Sequence, residues 1–385
     1  MSMSMPAAPL TLRGISATEH RDFVESGVLG DQTSFLQCPA WGEVKADWRS
    51  QSLGWFAGPA LTAVATVLYR QIPHTRWSLA YLPEGPLIDW LGERHQRPLD
   101  DWLDPLVRHL RDRHVFSARI GPKVPLRTWS AGTVKRGMAD PALARLGDLP
   151  PDGQDERAAD LGRRLRALGW RQDAPGESGF GDVQPRYFVQ LPLCGRTEGE
   201  VFADFNQQWR RNVRLADRSG IDVVRATARD LPEFHRLYLE TARRDGFTPR
   251  PLGYFQRMFH SLGAEGPDRI RLYLAKHGDE CLAGATIVTV GDRAWYGYGA
   301  SSDRLRGLKP SNAVQWRMIQ DCLKSGTRVY DLRGVGDTLD PEHHLYGLLR
   351  FKVGTGGEAV EYLGEWHLSL NRFLSRAIRL YLARR

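Results

Sequence analysis

Phe351-Lys352-Val353-Gly354-Thr355-Gly356-Gly357 sets one lysine beside an aromatic ring and ahead of a glycine-rich turn. A cation there could face a reacting carbonyl or a phosphate. The same run could equally be a tight turn in which glycine permits close backbone approach. It is not a Walker loop, because the lysine comes before the glycines and no GK[ST] follows. Trp209-Arg210-Arg211-Asn212-Val213-Arg214, with Arg218 close behind, is the densest basic cluster. Helical spacing lets Arg210, Arg211 and Arg214 project from neighbouring turns, with Asn212 adding an amide. Guanidinium groups grip phosphate in a bidentate fork, so the cluster is either a phosphate clamp or a solvated helix face. Further toward the N-terminus, Trp41 to Trp48 places Lys45 and Trp48 on adjacent helical turns, suited to a phosphate and a flat ring. Tyr81-Leu82-Pro83-Glu84-Gly85-Pro86-Leu87-Ile88-Asp89 reads as a strand end and a rigid Gly-Pro turn, with Asp89 a candidate proton acceptor. His343-His344 falls in a Pro- and Asp-rich loop and reads as solvated. There is no GxSxG elbow, HExxH pair or Rossmann fingerprint, so neither a serine hydrolase, a zinc peptidase nor a dinucleotide enzyme is indicated, and no metal site is expected.

The elements that must position these residues number enough for two domains, since the chain has 385 residues. Lys plus Arg total 53 against 45 Asp plus Glu, a formal charge of +8, which favours an anionic partner: nucleic acid, a phosphorylated ligand or a membrane surface. No run approaches the ~18 apolar residues of a membrane span, and the opening MSMSMPAAPL lacks the charged and apolar regions of a signal peptide. Cys38, Cys194, Cys281 and Cys322 are scattered without ligand spacing, as expected of thiols in a reducing compartment. A cytoplasmic α/β protein is the expectation. A weak internal repeat supports two copies of one unit. Ile15-Ser16-Ala17-Thr18 and a helix through Phe23 resemble Val224-Arg225-Ala226-Thr227 and a helix through Phe234. Ala65-Thr66-Val67-Leu68, ahead of an aromatic strand with Trp77 and Tyr81, resembles Ala285-Thr286-Ile287-Val288 ahead of Trp295 to Tyr298. Residues 150–160 are expected as a surface loop, Gly176 to Gly181 as a turn and Tyr187 to Leu193 as a strand. Leu368 to Arg385 is expected as a helix with Leu370, Phe373, Leu374, Ile378, Tyr381 and Leu382 on one side. That helix either docks on a domain or touches a membrane.

In the order WGEVK, LYRQIP, YLPEGPLID, WRRNVR, YGYGAS, SNAVQW, YDLRG and FKVGTGG, the chain resembles the Fem family of aminoacyl-tRNA-dependent transferases from Phe35 to the C-terminus. The likeness is greatest to actinobacterial members related to the lipid II:glycine glycyltransferases and MurM-type enzymes. It implies two tandem GNAT-like domains without a coiled-coil arm: residues 1–185 with the helix 366–385 on the acceptor side, and 186–365 on the aminoacyl-tRNA side. It implies transfer of an amino acid, glycine first, from aminoacyl-tRNA to an amine of the peptidoglycan precursor peptide on lipid II or a UDP-sugar. By the same resemblance, Lys45 and Arg211 pair with the acceptor's diphosphate, and Trp48, Tyr81, Asn212 and Arg214 join the binding surface. Tyr296 or Tyr298 lines the peptide channel, and Phe351 with Lys352 lies beside the aminoacyl ester. An aminoacyl ester is already activated, so no cofactor or metal is needed; what remains is to place a neutral amine on the carbonyl and stabilise the oxyanion. Lys352 suits the second task and Asp89 is the candidate base. Aminoacyl-tRNA as co-substrate, a monomer and peripheral contact with the inner membrane face complete the expectation.

Two departures from the family's pattern stand out. Glu84 occupies a position that is commonly basic, and Leu215-Ala216-Asp217 follows the basic motif in place of a lysine-rich run. Both suggest a relative acting on an amine of a cationic natural product. A coenzyme A-dependent GNAT acetyltransferase is a further alternative. In that fold a loop between the aromatic strand and a helix capped here by Ser311 would hold the pyrophosphate, but Lys309 would crowd it. A non-catalytic RNA-binding protein of the same fold is the third.

Overall fold

A computed structural model describes residues 9–28, 30–172 and 184–382, and the chain divides into two compact units. In chain order the elements are β1 (Leu10–Gly14), α1 (Ala17–Glu25), α2 (Pro39–Val44), β2 (Arg49–Ala57), β3 (Ala60–Gln71), β4 (Ser78–Leu82), α3 (Leu99–Asp112), β5 (Val115–Ile120), β6 (Pro125–Trp129), α4 (Ala131–Met138), β7 (Gly153–Gln154) and α5 (Glu156–Ala167). The remainder are β8 (Tyr187–Pro192), α6 (Glu198–Asp204), α7 (Gln207–Arg218), β9 (Asp222–Ala226), α8 (Leu231–Asp245), α9 (Leu252–Glu265), β10 (Ile270–His277), β11 (Glu280–Val290), β12 (Arg293–Ser301), α10 (Pro310–Lys324), β13 (Val329–Val335), α11 (Tyr346–Val353), β14 (Glu358–Tyr362), β15 (Trp366–Ser369) and α12 (Arg372–Leu382).

The first unit takes residues 1–127, 154–186 and 361–385. Its strands run β1-β2-β3-β4-β5-β15, every pair antiparallel except the parallel β4 and β5. The middle of β3 is buried without alternation because both faces of the strand are covered. Its core gathers Trp55, Trp90, Trp102, Trp170 and Trp366 around the apolar stripe of α3. Helix α1 starts with a capping box: Ser16 accepts from the Glu19 N–H while the Glu19 carboxylate accepts from the Ser16 N–H.

Residues 128–153 and 187–360 form the second unit. Six of its strands lie in the order β9-β10-β11-β12-β13-β8, again antiparallel except for the parallel β12 and β13. The internal repeat seen in the sequence is therefore a repeat of topology. Each unit runs strand, helix, antiparallel hairpin, third strand, helix and parallel return, and borrows its last strand from elsewhere in the chain. In the first unit that strand is β15, from the C-terminal end; in the second it is β8, which precedes the rest.

Several expectations change. Residues 128–153 pack with the second unit, because Trp129, Val134, Leu146 and Leu149 complete its core and the Leu146 N–H reaches the Asp337 carbonyl at 2.7 Å. The loop expected over 150–160 holds β7, and Asp155 caps α5 by accepting from the Arg157 N–H at 2.9 Å. Helix α2 ends at Val44, where Lys45 leaves helical geometry, so Lys45 and Trp48 sit on a turn and not on successive helical turns. Lys309, in the left-handed region, precedes α10, which begins at Pro310, so Ser311 is inside the helix and does not cap it. Leu368 lies in β15, paired with Ala118, and the last helix starts only at Arg372. Phe373 of that helix is 91% exposed and not on the packed side. The turn expected at Gly176–Gly181 lies outside the described residues.

Candidate active site

In the second unit, β12 and β13 pair in parallel only over Arg293–Trp295 and Val329–Asp331. Past that point each strand carries an extra residue against its other neighbour. On β12, Tyr296 pairs with Ile287 and Gly299 with Ala285, so Gly297 and Tyr298 together oppose Thr286. On β13, Asp331 pairs with Gln190 and Gly334 with Phe188, so Leu332 and Arg333 oppose Val189. An extra residue bends a strand and re-aims its side chains. Tyr296 and Tyr298, two apart in sequence, consequently part company. The Tyr296 ring lies 5.8 Å from the Lys352 ammonium. Tyr298 joins an aromatic cluster with Tyr238, Tyr254 and Phe255, and its hydroxyl donates to that of Tyr254 at 3.0 Å. Burial pushes the Tyr296 hydroxyl up to about 12.

Lys352 comes from α11, whose end is anchored to the start of α7. The Trp209 indole N–H donates to the Phe351 carbonyl at 2.7 Å, and the two rings stand 4.8 Å apart. Glycine is required at 354, since a Cβ there would lie 2.2 Å from the indole. Asn206 caps α7 by accepting from the Trp209 N–H at 2.8 Å, and its own N–H donates to the Gly354 carbonyl at 2.9 Å. So held, Lys352 is buried and its Nζ donates to the Gly334 carbonyl at 2.8 Å. Burial is the main cause that lowers its ammonium from the usual lysine range to about 7. The nearby Asp331 carboxylate raises it and the Arg333 guanidinium lowers it further. The arrangement is a cation that can lose its proton near neutrality, set where a sheet opens.

The α7 cluster divides its arginines. Arg210 donates to the Ala203 carbonyl at 2.5 Å and Arg214 lies over the Phe202 ring at 5.3 Å. Arg211 is exposed and engages no described residue. Asn212 donates to Asn312 at the start of α10 at 3.3 Å and accepts from Gln208 at 2.7 Å.

Within the first unit, Tyr81 and Trp48 come together, their rings 6.2 Å apart, with the Arg70 guanidinium 5.7 Å from the Trp48 ring. The Tyr81 hydroxyl donates to Glu365 at 2.6 Å, Arg119 reaches the same carboxylate at 3.4 Å, and burial holds the phenol well above its usual range. Lys45 rests over the Trp41 ring at 4.9 Å. Asp89 has partners of its own. Its carboxylate accepts from the backbone N–H groups of Glu93, Arg94 and His95 at 3.0, 2.9 and 2.8 Å, with the His95 ring 3.6 Å away. Those three amides make Asp89 the anchor of its loop. Glu84 is paired within the same unit. It is buried, accepts from the Ser34 hydroxyl at 2.6 Å and faces Lys123 at 3.9 Å, so its charge is balanced in place.

Sequence reasoning gave no role of their own to Trp209, at the head of the basic cluster, to Asp331, Arg333 and Gly334 of the YDLRG run, or to Glu365. Asp331 carried a signal in Tyr330-Asp331-Leu332-Arg333-Gly334, where a charge followed by a glycine interrupts an apolar strand.

Comparison with known proteins gives these geometries a lineage. The model of the FemAB family matches residues 15–276, and that of a GNAT acetyltransferase domain matches 203–353. The lipid II:glycine glycyltransferase of Staphylococcus haemolyticus is 25% identical, over 94% of this chain and 94% of its own length. The enzyme of the same name from Staphylococcus aureus strain MRSA252 is 23% identical over the same shares. Among solved structures, FemX aligns over 96% of this chain and 99% of its own with a TM-score of 0.78 at 22% identity. A tandem GNAT protein from the clavulanic acid biosynthesis pathway aligns over 94% and 98% with a TM-score of 0.53 at 12% identity. Those two likenesses concern fold, and they agree with the repeated topology. With the family's model spanning well over half of its length, this chain belongs to the FemAB family.

Proposed function

We propose that the protein transfers an amino acid, glycine first, from aminoacyl-tRNA to an amine of a peptidoglycan precursor peptide, building an interpeptide bridge. The observation that carries this reading is Lys352, a buried cation held at the opening of the second unit's sheet in a chain of the FemAB family. In the reaction the acceptor amine attacks the ester carbonyl, forming the new C–N bond and a tetrahedral oxyanion. The C–O bond to the terminal ribose of the tRNA then breaks, and the amine's proton leaves with the ribose oxygen. Lys352, as the ammonium, stabilises the oxyanion in a desolvated site where a positive charge is worth far more than in water. Tyr296 and Phe351 flank it and shape the place of the aminoacyl group. Lys45, Trp48 and Tyr81 of the first unit and Arg211, Asn212 and Arg214 of the second bind substrate, with the exposed Arg211 suited to a phosphate. The protein works as a monomer in the cytoplasm. Exposed Arg372, Phe373 and Arg376 give it a contact with the inner membrane face when the acceptor is lipid II.

An amine of a natural product, the other acceptor, drew support from Glu84 and from Leu215-Ala216-Asp217, and the pairing of the Glu84 carboxylate with Lys123 removes the first of these. Transfer of label from a pool of charged tRNAs to UDP-MurNAc-pentapeptide or lipid II tests the proposal. RNase-sensitive labelling that disappears in Lys352→Met is the expected result, and the labelled amino acid names the donor. Labelling by acetyl-CoA, with none from charged tRNA, would replace this reading with acetyl transfer.

A further inference from the structure

We infer that Asp331 is the positioning residue of Lys352: its carboxylate locks the bulge in β13 that turns the Gly334 carbonyl onto the lysine ammonium. Arg333, in that bulge, has φ 66, a left-handed conformation that a side-chain-bearing residue adopts only where something local holds it. Asp331 supplies the hold, accepting from the Arg333 N–H at 2.7 Å. The second carboxylate oxygen accepts from the Gln190 amide on β8 at 2.9 Å, and Asp331 is fully buried, so the carboxylate is fixed at both ends. The turn so fixed delivers the Gly334 carbonyl to Lys352 Nζ at 2.8 Å. The charged groups that bear on the lysine are Asp331, which favours the ammonium, and Arg333, which opposes it; the Tyr296 ring faces it as well. Asp331 therefore acts on Lys352 by backbone geometry and by charge. Asn in its place retains the acceptor and loses the charge, whereas Ala loses both.

The catalytic part of the inference rests on the reading of Lys352 given above, but the lysine can be observed without it. The chain contains only seven lysines, so the full-length protein labelled with ¹³C at lysine Cε gives few resonances. Loss of one signal in Lys352→Arg identifies the residue. The wild-type signal is expected to titrate near pH 7. In Asp331→Asn the midpoint falls by roughly half a pH unit or more. In Asp331→Ala kcat falls by roughly tenfold, because the cation is no longer aimed, while KM holds. Arg333→Gly combined with Asp331→Ala restores part of that loss, since glycine adopts the left-handed turn unaided. A Lys352 midpoint unmoved in Asp331→Asn, with the other six resonances in place, overturns the inference. If Asp331→Asn does not fold, failure of Arg333→Gly to rescue Asp331→Ala overturns it instead. A midpoint that moves while the pH profile of kcat stays fixed supports Asp331 as positioner and removes Lys352 from the chemistry.

Discussion

A lysine that is buried and yet charged below about pH 7 destabilises the fold that holds it, and Lys352 is such a residue. Its folded pKa lies below the unfolded value near 10.5. Between about pH 7 and 10.5 the unfolded chain therefore binds a proton that the folded one lacks, and stability rises with pH across that window. Below pH 7 both states are protonated and the full cost of burying the charge is present. Lys352→Met removes that cost, on the order of a few kcal/mol. It leaves the Gly334 carbonyl unpaired, which takes back about 1–3 kcal/mol. The expectation is a variant without transfer activity but more stable than wild type at pH 6, with the advantage shrinking by pH 9.5. Denaturant titrations at both pH values check it, and an equal difference at the two would mean that the lysine is not buried as a cation. The same titration shapes catalysis. Stabilising an oxyanion needs the ammonium, so kcat should fall as pH rises through about 7, and Lys352→Arg, where it fits, should extend activity to higher pH because guanidinium stays charged.

At the scale of elements, the decisive events are two extra residues, one in β12 and one in β13, just where the parallel ladder ends. The Phe-Lys run, the basic helix α7 and the strand at Tyr187 were legible because side-chain period and composition are local properties. The bulges were not. Tyr296-Gly297-Tyr298-Gly299 reads as strict alternation with both tyrosines on one face, and only the pairing with β11 reveals that the strand turns between them. Gly299 exposes the arrangement to test. A Cβ there would lie 1.7 Å from the Tyr296 hydroxyl, so the ring must move. Gly299→Ala should lower stability by about 1–3 kcal/mol through overpacking and displace the ring that faces Lys352. Tyr296→Phe removes the obstructing oxygen, so the penalty of Gly299→Ala should be smaller in that background. A double-mutant cycle by thermal or chemical unfolding measures the difference, and additive penalties would deny the contact. Asp89 shows the opposite limit. Its residue type and its turn suit a base, and the three amides that converge on it to anchor the loop are visible only in the structure.

For the whole molecule, the division into two units was legible as a repeat but its boundary was not, because Trp129 and Leu146 reveal their partners only through contacts distant in sequence. Net charge is the whole-molecule property that bears most directly on the proposed donor. A surplus of +8 attracts any polyanion, so binding of tRNA by itself says little; its dependence on salt says more. Each phosphate neutralised by the protein releases counterions, and the slope of log K against log salt grows by about 0.7–0.9 per contact. If α7 presents its arginines to the RNA backbone, replacing Arg211, Arg214 and Arg218 together with alanine should flatten that slope by about two to three and weaken binding at low salt most. Arg210 belongs outside the set, since its guanidinium donates to the Ala203 carbonyl at 2.5 Å, a closer tie than the 3.2 Å bond from Arg218 Nε to the Arg214 carbonyl. If Arg211 instead serves the acceptor's diphosphate, Arg211→Ala should raise KM for the precursor while leaving the salt slope for tRNA as it was. Fluorescence anisotropy of labelled tRNA over a range of salt, alongside KM for the precursor, separates the two. A slope unaffected by the triple replacement would move the RNA interface away from α7 altogether.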